Sequence, residues 1–307
     1  MTKIPIEIRI SFVYNVSMTV QNRKTIGGHS SPKGETSTMY TANAIRNICL
    51  LGHSGSGKTA LVESLLYMTG AIDRIGKNAD GNTVCDYDAE EIRRHISISA
   101  AVAPVEYRNC KINILDTPGG FDFSGATIEA LRAADAAVIV CSAKDGITVG
   151  FEKAWNYCEK LGIPRFIYIS KVDEDNSDYN ATFSALRERY GNKIAPVVVP
   201  IWNGAKKVTG IIDVLNKRAY EMQNLKRVEV EVPDEKLSVV EEYNDALKES
   251  VAETDEELMN RFFEGESFTY AEMIKGLHQG VTELSLFPVL CGSGVTCLGS
   301  LMLMDHI

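Results

Sequence analysis

Residues 52–59 read Gly52-His53-Ser54-Gly55-Ser56-Gly57-Lys58-Thr59. They fit G-x-x-x-x-G-K-[ST], the pattern of a loop that cradles phosphate groups. Just before it lies an apolar run at 48–51, the signature of a buried strand. Just after it, Leu61, Val62, Leu65 and Leu66 fall at helical spacing. Strand, loop and helix thus come in the order that the chemistry needs. Glycines let the loop turn its N–H groups inward, and the helix N-terminus adds the favourable end of its dipole. The expected phosphate ligands are the loop residues His53, Ser54, Gly55, Ser56 and Gly57 with Ala60. Lys58 can reach the β- and γ-phosphates, and the Thr59 hydroxyl can ligate Mg²⁺.

Outward from this loop, strands alternate with helices, which predicts an α/β fold with a mostly parallel sheet. Apolar runs at 48–51, 112–115, 136–141, 166–169 and 287–291 read as its strands. A further strand over 98–107 leads through Arg108-Asn109 into 111–114, a hairpin that supplies one antiparallel edge strand. Helices are expected at 58–68, 125–134, 151–161, 177–190 and 295–307. The whole predicts the three-layer P-loop NTPase fold. Residues 196–285 break the rhythm with short strands (208–215, 219–222) and three helical pieces. Two of those pieces begin with capping boxes, Thr254-Asp255-Glu256-Glu257 and Thr269-Tyr270-Ala271-Glu272. They read as an inserted α+β subdomain. Residues 1–41 form an N-terminal extension, expected to be disordered over its Gly- and Ser-rich part. Met39 reads as the natural start, the alternative being a real tail that adds an edge strand.

The bulk properties bound the function. Of 307 residues, 45% are hydrophobic, enough for a sizeable core. The net charge of -9 argues against broad or sequence-specific binding of nucleic acid. Between Glu229 and Glu272 stand 15 acidic and three basic residues, so the insertion carries the negative charge. Seven cysteines make no C-x-x-C pair, which suggests reduced thiols and a cytoplasmic protein. No apolar run reaches the roughly 18 residues of a membrane span, and no signal-peptide pattern opens the chain.

Three further motifs carry chemistry. Asp116-Thr117-Pro118-Gly119 follows a strand, where a carboxylate suits a Mg²⁺ held through water and Gly119 can bring its N–H to a γ-phosphate. Its plain reading is a strand-to-turn exit. Ser170-Lys171-Val172-Asp173 follows another strand. An aspartate there can accept from the N1–H and exocyclic amine of guanine, donors that adenine lacks, and the lysine stem can lie along the base. Ser293-Gly294, after the last strand, can offer backbone N–H groups to the guanine carbonyl. Loops at strand C-termini converge on one edge of such a sheet, where ligands bind.

The order P-loop, Asp-x-x-Gly, Ser-Lys-x-Asp and Ser-Gly resembles GTPases, and the 120 residues from Asp173 to Ser293 resemble translation elongation factor G. Gly70-Ala71-Ile72-Asp73-Arg74, Asp86-Tyr87-Asp88 and Ile96-Ser97-Ile98-Ser99 look closer to divergent elongation-factor-G-like paralogues. Tetracycline-resistance ribosomal protection proteins are similar at Ser142-Ala143-Lys144-Asp145-Gly146 and at Ser285-Leu286-Phe287-Pro288. The resemblance implies a GTP-binding domain over 42–195 and 286–307, with 196–285 inserted. It implies GTP/GDP and Mg²⁺ as ligands, with Thr59, Ser97 and Asp116 at the metal, and Lys58 and Gly119 assisting hydrolysis. It implies the ribosome as partner, its stalk protein meeting the insertion. The chain would then end inside the last helix of that domain, as a fragment. Four departures stand out: Gly120 where the family has its water-positioning histidine, Gly55 for an aspartate, Ser170 for an asparagine, and Ser293-Gly294 for Ser-Ala. Gly120 implies slow hydrolysis or a different water-orienting group. The alternatives are a tetracycline-resistance-type ribosomal protection protein or a GTP-dependent binding switch with little hydrolysis.

Overall fold

A computed structural model describes residues 40–203 and 207–307. Of the extension expected at 1–41, residues 1–39, and with them the start at Met39, lie outside the described residues.

The central sheet has seven strands in the order β2-β3-β1-β4-β5-β11-β6. They are β1 (Ile45–Leu51), β2 (Ala101–Tyr107), β3 (Cys110–Asp116), β4 (Ala136–Ser142), β5 (Arg165–Ser170), β6 (Ile194–Pro196) and β11 (Phe287–Cys291). All pairs are parallel except β2 with β3. Their near-continuous apolar runs are what two covered faces require. Leu50, Leu51, Ile114, Leu115, Val138, Ile139, Ile167 and Leu290 are all essentially inaccessible. The expected hairpin is present, and Arg108 and Asn109 at its turn take φ of 45° and 63°, the geometry that matches the twist of two-residue hairpins.

Helices α1 (Lys58–Met68), α3 (Ser124–Ala133), α4 (Val149–Leu161) and α5 (Tyr179–Tyr190) follow the parallel strands. A short α2 (Ala89–Arg94) precedes β2. Its capping box is built by Asp88 and Glu91. The last helix, α9 (Ser300–His306), begins five residues later than the sequence predicts. Cys297 and Gly299 hold φ of 61° and 79°, which keeps 295–299 out of the helix. Helix α9 packs against α1.

Between β6 and β11 lies an antiparallel sheet ordered β10-β9-β8-β7. Its strands are β7 (Val198–Trp202), β8 (Val208–Asp213), β9 (Arg218–Gln223) and β10 (Lys226–Val230). Three helices follow, α6 (Leu237–Ala252), α7 (Glu256–Phe263) and α8 (Tyr270–Thr282). Strands β6, β7 and β10 are additions to the expected pattern. The β9–β10 turn, Asn224-Leu225, lacks the glycine that marks such turns, although both residues hold positive φ. Helix α6 packs on β6. Arg187 pairs with Glu249 at 2.9 Å, and the Ser250 hydroxyl donates to the Asn192 carbonyl. On the other flank Arg227 pairs with Asp305 of α9 at 2.6 Å.

Candidate functional site

The C-terminal ends of β1, β3, β5 and β11 open onto one edge of the sheet, and their loops meet there. The β1 loop turns at Gly57, whose φ of 93° marks the start of α1. That left-handed conformation strains any residue with a Cβ. Lys58 is buried, and its ammonium donates to the carbonyls of Gly52 (3.1 Å) and His53 (3.0 Å). Burial pulls its pKa down to about 8, against the opposing attraction of Asp116.

Asp116 is likewise buried. Its Oδ2 accepts from the Thr59 hydroxyl at 2.8 Å, while its Oδ1 has no hydrogen-bond partner among the described residues. Burial raises its pKa to about 7, with Lys58 and Thr59 pulling the other way. The Ser97 hydroxyl lies 3.3 Å from that of Thr59. Three hard oxygen donors, one with an unused buried lone-pair site, therefore cluster at the start of α1. Hard oxygens are what Mg²⁺ takes, with several waters retained, so Thr59, Ser97 and Asp116 fit that ion.

Ser97 is held there by carboxylates that the motif reading passed over. Glu91 Oε1 accepts from the N–H groups of Ile98 (2.9 Å) and Ser99 (3.0 Å). Glu63, on α1, accepts from Gly76 (2.7 Å) and Val84 (2.5 Å). Asp86 accepts from Asn78 and Thr83, and burial raises its pKa against the pull of Ser97 and Thr83. All three are buried; Glu63 ties Gly76 and Val84 to α1 by charge-assisted bonds, while Asp86 and Glu91 brace residues 78–99 from within. The pattern Asp88-x-x-Glu91 was the one legible signal among them, a capping box without an apolar run behind it.

Gly119 sits hard against the P-loop. A Cβ there would stand 2.5 Å from the Ser54 nitrogen and 2.6 Å from Lys58 Nζ. The Ser170 hydroxyl donates to the Ser56 carbonyl at 2.6 Å. Through its serine this motif therefore contacts the P-loop. Lys171 holds φ of 58° and pairs with Glu174 at 3.5 Å. The N–H of Val172 reaches the Gly292 carbonyl at 3.5 Å, which sets half-buried Asp173 beside the 292–294 loop. In that loop the N–H groups of Gly292 and Ser293 are engaged by Ile169 and Leu298. The Ser293 hydroxyl accepts from Val295 and Thr296. Among the described residues only the Gly294 N–H of those three remains for a ligand, a correction to the expected set of donors. Gly294 also packs on Ala60. Gly55 lies at the exposed tip, with nothing among the described residues near a Cβ position. The His53 ring turns towards Phe121.

The family model described as the elongation factor Tu GTP binding domain matches residues 43–307. The chain belongs to that family. It is a translational GTPase domain, and guanine nucleotide is its family's ligand. A crystal structure of a protein from Thermus thermophilus is similar at 39% identity with a TM-score of 0.80. That match covers 85% of this chain, which spans 39% of the Thermus chain. Among the described residues of the GTPase domain, no helix is long and apolar enough to cross a membrane.

Two buried groups give a pH test. Asp116 has a raised pKa, so it favours the native state below the ordinary carboxylate range, and that contribution is lost as pH rises towards about 7. Lys58 has a lowered pKa, so its burial penalty is full below about 8 and lifts above it. Unfolding of the domain without nucleotide or metal, followed from pH 5 to 7, should show wild type losing stability relative to Asp116→Asn. The loss is at most about 4 kcal/mol over the full shift. Adding Mg²⁺ and nucleotide should reverse the slope, because a cation favours the carboxylate. A difference that stays flat with pH contradicts the assignment.

Proposed function

We propose that this GTPase domain belongs to an elongation-factor-G-like protein that acts on the ribosome, with GTP/GDP and Mg²⁺ as ligands. The observation that carries the reading is the meeting of Lys58, Thr59, Ser97, Asp116 and Gly119 at the P-loop, beside the loop of Asp173. Asp173 would read the guanine edge, with the Lys171 stem along the base and Ser170 bracing the P-loop. Lys58 and the Gly119 N–H would face the γ-phosphate and hold the charge that grows as water attacks in line. Mg²⁺, held by Thr59, Ser97 and by Asp116 through water, would neutralise phosphate charge. Residues 42–195 with 286–307 would form the nucleotide-binding unit. The acidic 196–285 would be an inserted subdomain and would meet the ribosomal stalk. A cytoplasmic site of action follows from that partner.

Gly120 favours slow hydrolysis. Its backbone is extended (φ -76°, ψ 137°), so no conformational demand explains a glycine there. A Cβ would lie 3.1 Å from the Phe123 ring, which has to shift by a few tenths of an ångström to admit one. A positioned general base or water-orienting group contributes roughly 10²–10⁴-fold. Phosphate release in single turnover on ribosomes should therefore be slow for wild type and rise by about tenfold or more in Gly120→His. Fast wild-type turnover that Gly120→His leaves unchanged would sink the slow-hydrolysis reading. Binding without measurable turnover would favour the GTP-dependent switch.

A further inference from the structure

Phe121, one residue beyond Gly120, is 45% exposed, yet its ring is held on two sides. The His53 ring of the P-loop lies 5.7 Å away, centroid to centroid and tilted by 51°. Lys153 Nζ stands 3.8 Å from the centre of the Phe121 ring. Both supports trace to α4. Gly150, in its first turn, carries no side chain because His53 occupies that space. A Cβ there would be 2.6 Å from His53 Cα and 2.7 Å from its Nδ1. That Nδ1 is buried without a hydrogen-bond partner among the described residues, so packing on Gly150 and Phe121, not hydrogen bonding through Nδ1, sets the ring. Lys153 follows three residues later, on the same helical face. Among the described residues Lys153 makes no ion pair, and the aromatic face is its partner. Gly52, Gly119, Gly120, Phe121, Gly150 and Lys153 line one cleft.

We infer that His53, Phe121 and Lys153 form a clamp that holds the segment after Asp116 against the P-loop, and that it sets the preference for GTP over GDP. Phe121 and Lys153 are positioning residues in this account, which rests on the GTPase reading above. The link is short. Gly119 is two residues from Phe121, and its N–H is the group offered to a γ-phosphate. A segment already docked loses less freedom when that phosphate arrives. GDP has no γ-phosphate and gains nothing from the docking. The clamp also fits the loss of a side chain at Gly120. Gly120 itself has no side chain to offer, and the ring of the next residue makes the contact with the P-loop.

The test is equilibrium titration of the whole chain with fluorescent GDP and a non-hydrolysable fluorescent GTP analogue. An exposed cation–aromatic contact is worth about two- to fivefold in an equilibrium. Lys153→Ala and Phe121→Ala should each lower the ratio of triphosphate to diphosphate affinity by about that factor, with GDP affinity itself held. Lys153→Arg should restore the ratio, since a guanidinium also stacks on a ring. The double variant should fall no further than Phe121→Ala. An unchanged ratio in both single variants, or strictly additive losses, overturns the clamp. Loss of all guanine-nucleotide binding by wild type would instead overturn the GTPase reading beneath it.

Discussion

Replacing Asp173 with asparagine should lower the affinity for both GTP and GDP by about 10³-fold, with ATP still bound weakly or not at all. The argument is one of unmatched hydrogen bonds. A carboxylate accepts from both guanine donors, whereas an amide turns one of those contacts into donor against donor. Sites built on such bonds discriminate by roughly 10⁴-fold or more when a partner is missing. Asp173 lies half-buried after β5, and among the described residues its carboxylate holds no turn or helix cap together, so folding should be unaffected. Thermal unfolding of the nucleotide-free variant should therefore overlay wild type. Fluorescent-nucleotide titration reads the effect. A loss below about tenfold would place the base elsewhere.

Gly119→Ala should abolish the response to the γ-phosphate while sparing GDP. The added methyl would fall 2.5 Å from the Ser54 nitrogen, 2.6 Å from Lys58 Nζ and 2.7 Å from the His53 carbonyl carbon. Two of these are backbone atoms of a loop anchored by β1 and α1, so Gly119 has to move rather than the loop. Overpacking costs about 1–3 kcal/mol, and the N–H meant for the γ-phosphate moves with it. GTP affinity should fall about 10- to 100-fold relative to GDP, and hydrolysis should fall with it. Equal losses for both nucleotides would show that the P-loop itself had deformed.

Much of the fold was legible because its signals are local. Residues 48–51 and 137–141 are buried on both faces and so read as unbroken apolar runs, and 112–115 is broken only by the buried Asn113. Turn residues gave the β2–β3 hairpin through Arg108-Asn109. The β10 strand escaped because Asn224-Leu225 makes its turn without glycine, and the late start of α9 because Cys297 and Gly299 take positive φ. At the site, the motifs fell at strand ends that the structure brings to one edge, whereas Ser97 was selected by the resemblance alone. What they could not show was the support. Glu63 and Glu91 reach backbone N–H groups outside any motif, with only the Asp88-x-x-Glu91 capping box visible in the sequence, and Asp86 acts through side chains eight and three residues upstream. Nor could spacing reveal that the Ser293 hydroxyl closes its own loop, or that Lys153 meets Phe121 from a different element.

The most direct measurement is competition. Fluorescent GDP bound to the chain in Mg²⁺ is displaced with unlabelled GTP, GDP and ATP. Displacement by GTP and GDP at low micromolar concentration or below, with ATP requiring at least about 10³-fold more, is the predicted result. Equal displacement by ATP, or no binding of guanine nucleotide at all, would contradict a site in which Lys58, Asp116 and Asp173 hold GTP.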